Sequence, residues 1–123
     1  MIDHVGVNVR DFPASRQFYE QALGPLGYRV LVGFDEWNAA GFGQEQKPDF
    51  WIAQREPLGT GTHVAFTCAD RATVDRFHAA GLAAGGADNG PPGLREHYHS
   101  TYYSAFVLDP DGNNVEAVCH RPE

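Results

Sequence analysis

The chain has 123 residues, of which 42% are hydrophobic and 20% charged, as expected for one soluble globular domain. Its net charge of −7, without any run of lysine or arginine, excludes a typical nucleic-acid-binding protein. No apolar stretch reaches the ~20 residues of a membrane-spanning helix, so we expect no membrane partner. The N-terminus has no signal-peptide character, and Cys68 and Cys119 lack metal or redox spacing. We therefore expect a cytoplasmic protein with reduced thiols.

The first half of the chain predicts one strand, one helix and three further strands. Residues 4–9 alternate valines with His4, Gly6 and Asn8, which is the two-residue period of a half-buried strand. A helix is expected to begin at Asp11 as N-cap and to end at Gly24. Short strands are then expected at about 28–34, about 36–42 and 49–54.

The second half repeats this order. A strand is expected at 62–68, followed by a helix from the N-cap Asp70 to about Ala84. Residues 88–93 are rich in glycine and proline and predict a loop. A hairpin follows, with strands 102–108 and 113–119 around an Asp-Pro-Asp-Gly turn at 109–112.

The most informative feature is a histidine that opens both first strands. His4 and His63 lie 59 residues apart, and the two stretches align without a gap for 20 residues. The repeat predicts an α+β fold of two tandem βαβββ modules, at about 1–56 and 60–121. In each first strand the valines and aromatics share one face, for a helix to cover. Asn8 and Thr67 share the other face with the histidines, and the small residues there leave room for a pocket.

Glu116 is a carboxylate in the middle of an otherwise apolar strand. A buried carboxylate requires a cation, hydrogen-bond donors or water. His4, His63 and Glu116 form a plausible set of two histidines and one carboxylate, which binds first-row divalent metals and leaves positions open for substrate. The alternatives are a structural role for each histidine, a solvated Glu116, or the remnant of an ancestral site.

The run Tyr102–Glu116, with its Asp-Pro-Asp-Gly-Asn turn, and the paired histidines resemble the vicinal oxygen chelate superfamily of glyoxalases, bleomycin-resistance proteins and extradiol dioxygenases. The resemblance covers the whole chain. It implies a cupped, mostly antiparallel sheet with helices on the outside. It also implies a divalent metal (Fe, Mn, Ni, Zn or Co) on His4, His63 and Glu116, and a homodimer in which His4 can meet the other two ligands across the chains.

Superposing the halves places Trp51 opposite Glu116, so the chain lacks the fourth protein ligand that the family usually has. This departure resembles the three-ligand pattern of extradiol dioxygenases and fosfomycin-resistance thiol transferases, and counts against a plain glyoxalase I. Asp49 is a weak candidate for the fourth place. Trp51 at this place would line the pocket and favour a flat or apolar substrate. The other aromatics Phe34, Trp37, Phe42 and Phe50 are expected mostly in the core.

The segment 95–103 leads into the strand paired with that of Glu116. Tyr103 and His99 are candidate general acid/base residues, and Tyr102 a candidate pocket residue; the sequence does not decide which tyrosine faces the pocket. His97 is expected to be a surface residue, and capping of the loop is the alternative role for all of them.

Three functions fit this pattern. The leading one is a metalloenzyme of isomerase, lyase or dioxygenase type, which binds neighbouring oxygens of a small-molecule substrate and stabilises an oxyanion or enolate. The second is a metal-free protein that sequesters a small molecule such as a drug. The third is a metal-dependent thiol transferase, although few basic residues are available on the pocket side to hold a phosphonate.

Overall fold

A computed structural model describes all 123 residues and confirms the α+β fold of two βαβββ modules. The first module contains β1 (Val5–Val9), α1 (Phe12–Leu23), β2 (Arg29–Phe34), β3 (Ala39–Gly43) and β4 (Phe50–Gln54). The second contains β5 (His63–Thr67), α2 (Arg71–Ala83), β6 (Ala87–Leu94), β7 (Tyr103–Leu108) and β8 (Asn114–Cys119).

Each module forms a four-stranded sheet in which the first strand lies at the edge. Sheet A has the order β1-β4-β3-β2, and sheet B has the order β5-β8-β7-β6. The first and last strands of each module pair in parallel, and the other pairs are antiparallel. Gly6 pairs with Trp51, and Ala65 pairs with Glu116. The register therefore places Trp51 and Glu116 at equivalent positions of the two modules.

Both helices begin at the expected caps. The Asp11 carboxylate accepts a hydrogen bond from the backbone of Ala14, and Asp70 accepts one from Thr73. These bonds satisfy backbone groups that the first helical turn leaves free. The bonds from Thr73 also lower the pKa of Asp70. No helix has the length and apolar character needed to cross a membrane.

The two modules share one hydrophobic core. The Phe66 ring lies 5.3 Å from those of both Tyr28 and Phe50, which joins the second module to the first. From α1, the buried Tyr19 donates a 2.5 Å hydrogen bond to Asp109 in the turn between β7 and β8. Burial and this carboxylate raise the pKa of Tyr19, so the phenol stays protonated and remains a donor. The modules are therefore held together by packing and by one buried polar contact.

Two local expectations need correction. The glycine- and proline-rich stretch 88–93 is not a loop: it lies within β6, which pairs with β7 through two irregularities in register. Proline is tolerated there because β6 is an edge strand and its outward groups need no partner. The third strand begins at Ala39, later than expected, because Asp35–Trp37 form a 3-10 turn that Asn38 ends with a left-handed φ of 49°.

Gly86 allows the second module to approach α1. A Cβ at this position would lie 2.5 Å from Val107 and 2.7 Å from Phe18, and would also clash with a backbone oxygen. We predict that Gly86→Ala lowers the free energy of unfolding by about 1–3 kcal/mol through overpacking. Gly24→Ala is the matched control, since its Cβ meets no atom within 4 Å and its φ is helical. Equal urea-unfolding midpoints for the two variants would contradict this role of Gly86.

Candidate functional site

The uncovered face of sheet B carries a buried carboxylate between two donors. The Glu116 side chain is 1% exposed, and its two oxygens have different partners. Oε1 lies 2.8 Å from Nε2 of His63, and Oε2 accepts a 2.5 Å hydrogen bond from the hydroxyl of Tyr102. The His63 ring is half exposed, so this cluster is anchored in the sheet and opens toward solvent at the histidine.

Strand pairing explains this convergence. Ala65 in β5 pairs with Glu116, and the His63 side chain lies on the same face, two residues earlier. Phe106 in β7 is the antiparallel partner of Glu116, and Tyr102 precedes it by four residues, again with the same parity. The register of β5 and β8 thus brings the imidazole and the carboxylate to one face. Tyr102 directly precedes β7, continues its alternation and adds the phenol to the same face.

Tyr102 serves Glu116 as a hydrogen-bond donor. Partial burial and the hydrogen bond to Glu116 raise the pKa of the phenol to about 12. The hydroxyl therefore keeps its proton at neutral pH and fixes Oε2 of the carboxylate. Oε1 is held on the side of His63, toward the open face. The arrangement orients one carboxylate oxygen and one imidazole nitrogen together.

His4 lies apart from this cluster in the single chain. Its Nδ1 is 2.7 Å from the Asp3 carboxylate, and no group of three His, Cys, Asp or Glu side chains is placed to hold a metal ion. His4 and His63 do line one cavity of about 520 Å³ that runs past the starts of β1 and β5. Thr67, an expected pocket residue, lines the same cavity. Asp49, the weak fourth-ligand candidate, is hydrogen-bonded to the hydroxyl of Tyr28.

The donors at His63 and Glu116 fit a divalent metal ion in chemistry and spacing. Imidazole nitrogen and carboxylate oxygen are both ligands of first-row divalent metals. Adjacent donors of one octahedral ion lie about 3 Å apart when each is about 2.1 Å from the metal, and the observed separation is 2.8 Å. The chain thus supplies two neighbouring donors on sheet B, and a site with three protein ligands would need a third from elsewhere.

The corresponding face of sheet A has a different character. A cavity of about 410 Å³ lies over it, and Trp51 lines this cavity at the position equivalent to Glu116. Asn8, an expected pocket residue, also lines it and donates a 2.9 Å hydrogen bond to the carbonyl of Pro57. His4 stands at the edge of the same cavity. One half of the molecule therefore carries acid and base groups, while the other carries an aromatic wall.

Tyr103 and His99, the expected acid/base residues, do not reach Glu116. Tyr103 alternates with Tyr102, so it faces α2 and donates a 2.6 Å hydrogen bond to Asp75. His99 lies in the turn before β7, where its Nδ1 contacts the hydroxyl of Thr101 at 3.1 Å. Tyr102, which was expected as a pocket residue, is therefore the tyrosine that contacts Glu116.

Two aromatic residues and one arginine that line the sheet A cavity were not among the expected site residues. Phe34 and Trp37 were assigned mostly to the core, but both line this cavity, and Trp37 is 63% exposed. Arg55 follows β4 and also lines it. Phe34 lies opposite Ala39, which lies opposite Ala53, and Ala53 is on the same face of β4 as Trp51. The strand register, once known, could therefore have identified Phe34 as a cavity residue. No sequence signal places Trp37, because it lies in a 3-10 turn. Phe42 and Phe50 are buried in the core as expected.

Comparison with known proteins decides the family. A model of the Glyoxalase/Bleomycin resistance protein/Dioxygenase superfamily matches residues 1–117. The chain belongs to this superfamily. A glyoxalase/bleomycin resistance protein from Albidiferax ferrireducens T118 is 31% identical, with 98% of each chain covered and a TM-score of 0.80. Among curated proteins, no significant sequence match was found.

More distant members of the superfamily share the fold. A glyoxalase/bleomycin resistance protein/dioxygenase family enzyme from Burkholderia phytofirmans PsJN is 20% identical over 98% of both chains, with a TM-score of 0.72. A glyoxalase I variant from Zea mays is 22% identical, with a TM-score of 0.71. The match covers 95% of this chain and 46% of that one, so this chain corresponds to about half of the maize enzyme.

The Tyr103–Asp75 contact gives a pH-dependent prediction. This hydrogen bond, together with burial, raises the pKa of Tyr103 to about 12 in the folded state, above the ordinary value of 10. The contact therefore stabilises the fold fully below pH 10, and its contribution disappears as the pH rises toward 12. We predict that the stability difference between the wild-type protein and Tyr103→Phe narrows over this interval in urea unfolding.

Tyr98→Phe is the control for that measurement, because the Tyr98 ring is exposed and its hydroxyl makes no hydrogen bond within the chain. A wild-type stability advantage over Tyr103→Phe that stayed constant from pH 8 to pH 11.5 would show that the hydrogen bond does not stabilise the fold.

Proposed function

We propose that this protein is a divalent-metal-dependent enzyme that binds two neighbouring oxygens of a small-molecule substrate and stabilises an oxyanion or enolate. The observation that carries the proposal is the Glu116 carboxylate, which is 1% exposed yet lies 2.8 Å from His63 on an open face. Replacing a buried carboxylate together with its partners by well-packed apolar residues is often neutral for stability, so stability alone does not explain this group. Membership of a superfamily that includes glyoxalases and dioxygenases also supports the proposal of an enzyme.

In this proposal the ligands are His63 and Glu116 of one chain and His4 of a second copy. The first strand of each module is a sheet edge, since β1 pairs only with β4 and β5 pairs only with β8. Edge strands have backbone groups without a strand partner, which favour association with another chain. In β1 the Asn8 carbonyl already accepts a hydrogen bond from the backbone of Gly59. His4 immediately precedes β1, and His63 opens β5. A symmetric dimer that brings β1 of one copy to β5 of the other would complete two equivalent sites.

The metal would act as a Lewis acid that polarises the substrate oxygens and stabilises the negative charge that develops on them. The chain's own residues prepare the site for this chemistry. Tyr102 keeps its proton and holds Oε2 of Glu116, so that Oε1 stays beside His63. Trp51 and the aromatic residues near it supply an apolar wall that would exclude water from the substrate.

Metal content tests the ligand assignment. We predict that the native protein carries about one divalent ion per chain and that Glu116→Gln, which keeps the shape of the side chain, carries almost none. Inductively coupled plasma mass spectrometry measures the content, and circular dichroism checks the fold. Glu96→Gln is the charge-matched control, since Glu96 is exposed and makes no side-chain hydrogen bond. Wild-type metal content in folded Glu116→Gln would refute the assignment.

Mixed dimers test whether the site is shared. In a dimer of one His4→Ala chain and one Glu116→Gln chain, a shared arrangement leaves one site with all its ligands intact and one site with two lesions. We predict about half of the wild-type metal content for this mixed dimer, while each variant alone binds little. A site built within one chain gives no recovery on mixing, and that outcome would overturn the shared arrangement.

A metal-free binding protein is the second candidate, and the aromatic-lined cavity of about 410 Å³ on sheet A favours it. In that case the purified protein contains no stoichiometric metal, and Mn, Fe, Co, Ni and Zn salts leave its melting temperature unchanged. A metalloenzyme gains stability from the ion that it binds in its folded state. The melting temperature with and without each metal therefore separates the two candidates.

A further inference from the structure

The cavity on sheet A contains both tryptophans of the chain and a phenylalanine. The Phe34 and Trp51 rings are nearly parallel, with an angle of 9° between their planes and 6.4 Å between their centroids. Trp37 lies 5.0 Å from Phe34 and is 63% exposed. Because two of the rings share one orientation, a flat ring that stacks on one of them is also parallel to the other.

The floor beneath these rings is flat and fixes the position of the Trp51 indole. Gly41 is the strand partner of Trp51, and a Cβ there would lie 2.8 Å from two carbons of the indole. The indole can therefore lie close to the sheet only because residue 41 is glycine. Gly6 is the partner on the other side, and Ala39 and Ala53 also line the cavity. Small residues thus leave room for a planar group beside these aromatic rings.

One cation at the edge of this cavity has no partner. Arg55 lines the cavity and forms no hydrogen bond or ion pair within the chain. The Asn8 amide, in contrast, already donates to Pro57. No carboxylate lines the cavity, although the chain as a whole has a net charge of −7. Glu56 follows Arg55 in the chain but forms no ion pair with it. An unpaired guanidinium is a binding group for a carboxylate or another anion of a ligand.

We propose that this cavity holds the planar aromatic ring of an anionic substrate, with the ring against Phe34, Trp37 and Trp51 and the anion at Arg55. This inference rests on the proposed function in so far as the ligand is the substrate of the metal site. It concerns sheet A only, so its test does not require a bound metal. The cavity of about 410 Å³ is in the range of small-molecule sites.

Calorimetric titration of metal-free, EDTA-treated protein with three probes tests the proposal. 2-Naphthoate carries a flat ring and an anion, decahydronaphthalene-2-carboxylate keeps the anion without the flat ring, and 2-naphthamide keeps the ring without the charge. We expect 2-naphthoate to bind about tenfold more tightly than the saturated acid, because stacking is lost in the latter. We also expect it to bind more tightly than the amide. Equal affinity for the flat and the saturated acids would overturn the proposal.

Variants assign the effect to the named residues. Trp51→Leu and Trp37→Leu should each weaken 2-naphthoate binding, by up to about tenfold, while Trp51→Phe retains most of it. Trp37 is largely exposed, so its variant tests the proposal even if Trp51→Leu fails to fold. Arg55→Gln should abolish the preference for the acid over the amide. Unchanged binding in folded Trp37→Leu and Trp51→Leu, or an unchanged preference in Arg55→Gln, would refute the corresponding contact.

Metal content and probe binding together separate this inference from the proposed function. Metal content reports on the ligands of sheet B, while 2-naphthoate binding reports on the sheet A cavity, which Glu116 of the same chain does not line. If the native protein contains no metal but binds 2-naphthoate as expected, the metal proposal fails and the aromatic site stands. If it contains metal but does not distinguish the flat from the saturated acid, only the aromatic site fails.

Discussion

The buried carboxylate of Glu116 is the constraint around which sheet B is arranged. A charged group in the middle of a sheet is costly unless donors surround it. Here the donors come from both neighbouring strands: His63 from β5 and Tyr102 from the residue before β7. Moving either strand by one residue would turn its donor to the opposite face and leave the carboxylate without that partner. The polar cluster and the strand register therefore depend on each other.

Duplication gave the two modules the same backbone, but the side chains at equivalent positions have diverged. Glu116 and Trp51 pair with Ala65 and Gly6, which are themselves equivalent in the repeat. The small partner leaves space in both cases. In sheet B this space lets the His63 imidazole reach the Glu116 carboxylate. In sheet A it leaves room beside the Trp51 indole. One scaffold thus offers a polar half-site and an aromatic half-site, and neither has the composition of a complete active site.

The sequence predicted the modules, the helix caps and the inward position of Glu116, because these follow from periodicity and from local hydrogen bonding. It did not separate Tyr102 from Tyr103, since the choice depends on the register across the β7–β8 turn. Once Phe106 is paired with Glu116, parity alone selects Tyr102. β6 was missed because proline and glycine usually interrupt strands, and only its edge position permits them. Trp37 lies in an irregular turn, for which periodicity gives no information.

The polar half-site on sheet B and the aromatic half-site on sheet A lie apart within one chain, and this separation limits how a complete site can form. Within one chain the shared core fixes the sheets relative to each other, with Tyr19 bonded to Asp109 and Phe66 packed between Tyr28 and Phe50. Such packing cannot rearrange to bring His4 to Glu116 without losing buried contacts. Association through the edge strands β1 and β5 requires no change in that core. In the proposed dimer, a second copy would complete the site without that loss, and it would place the aromatic wall of one chain beside the carboxylate of the other.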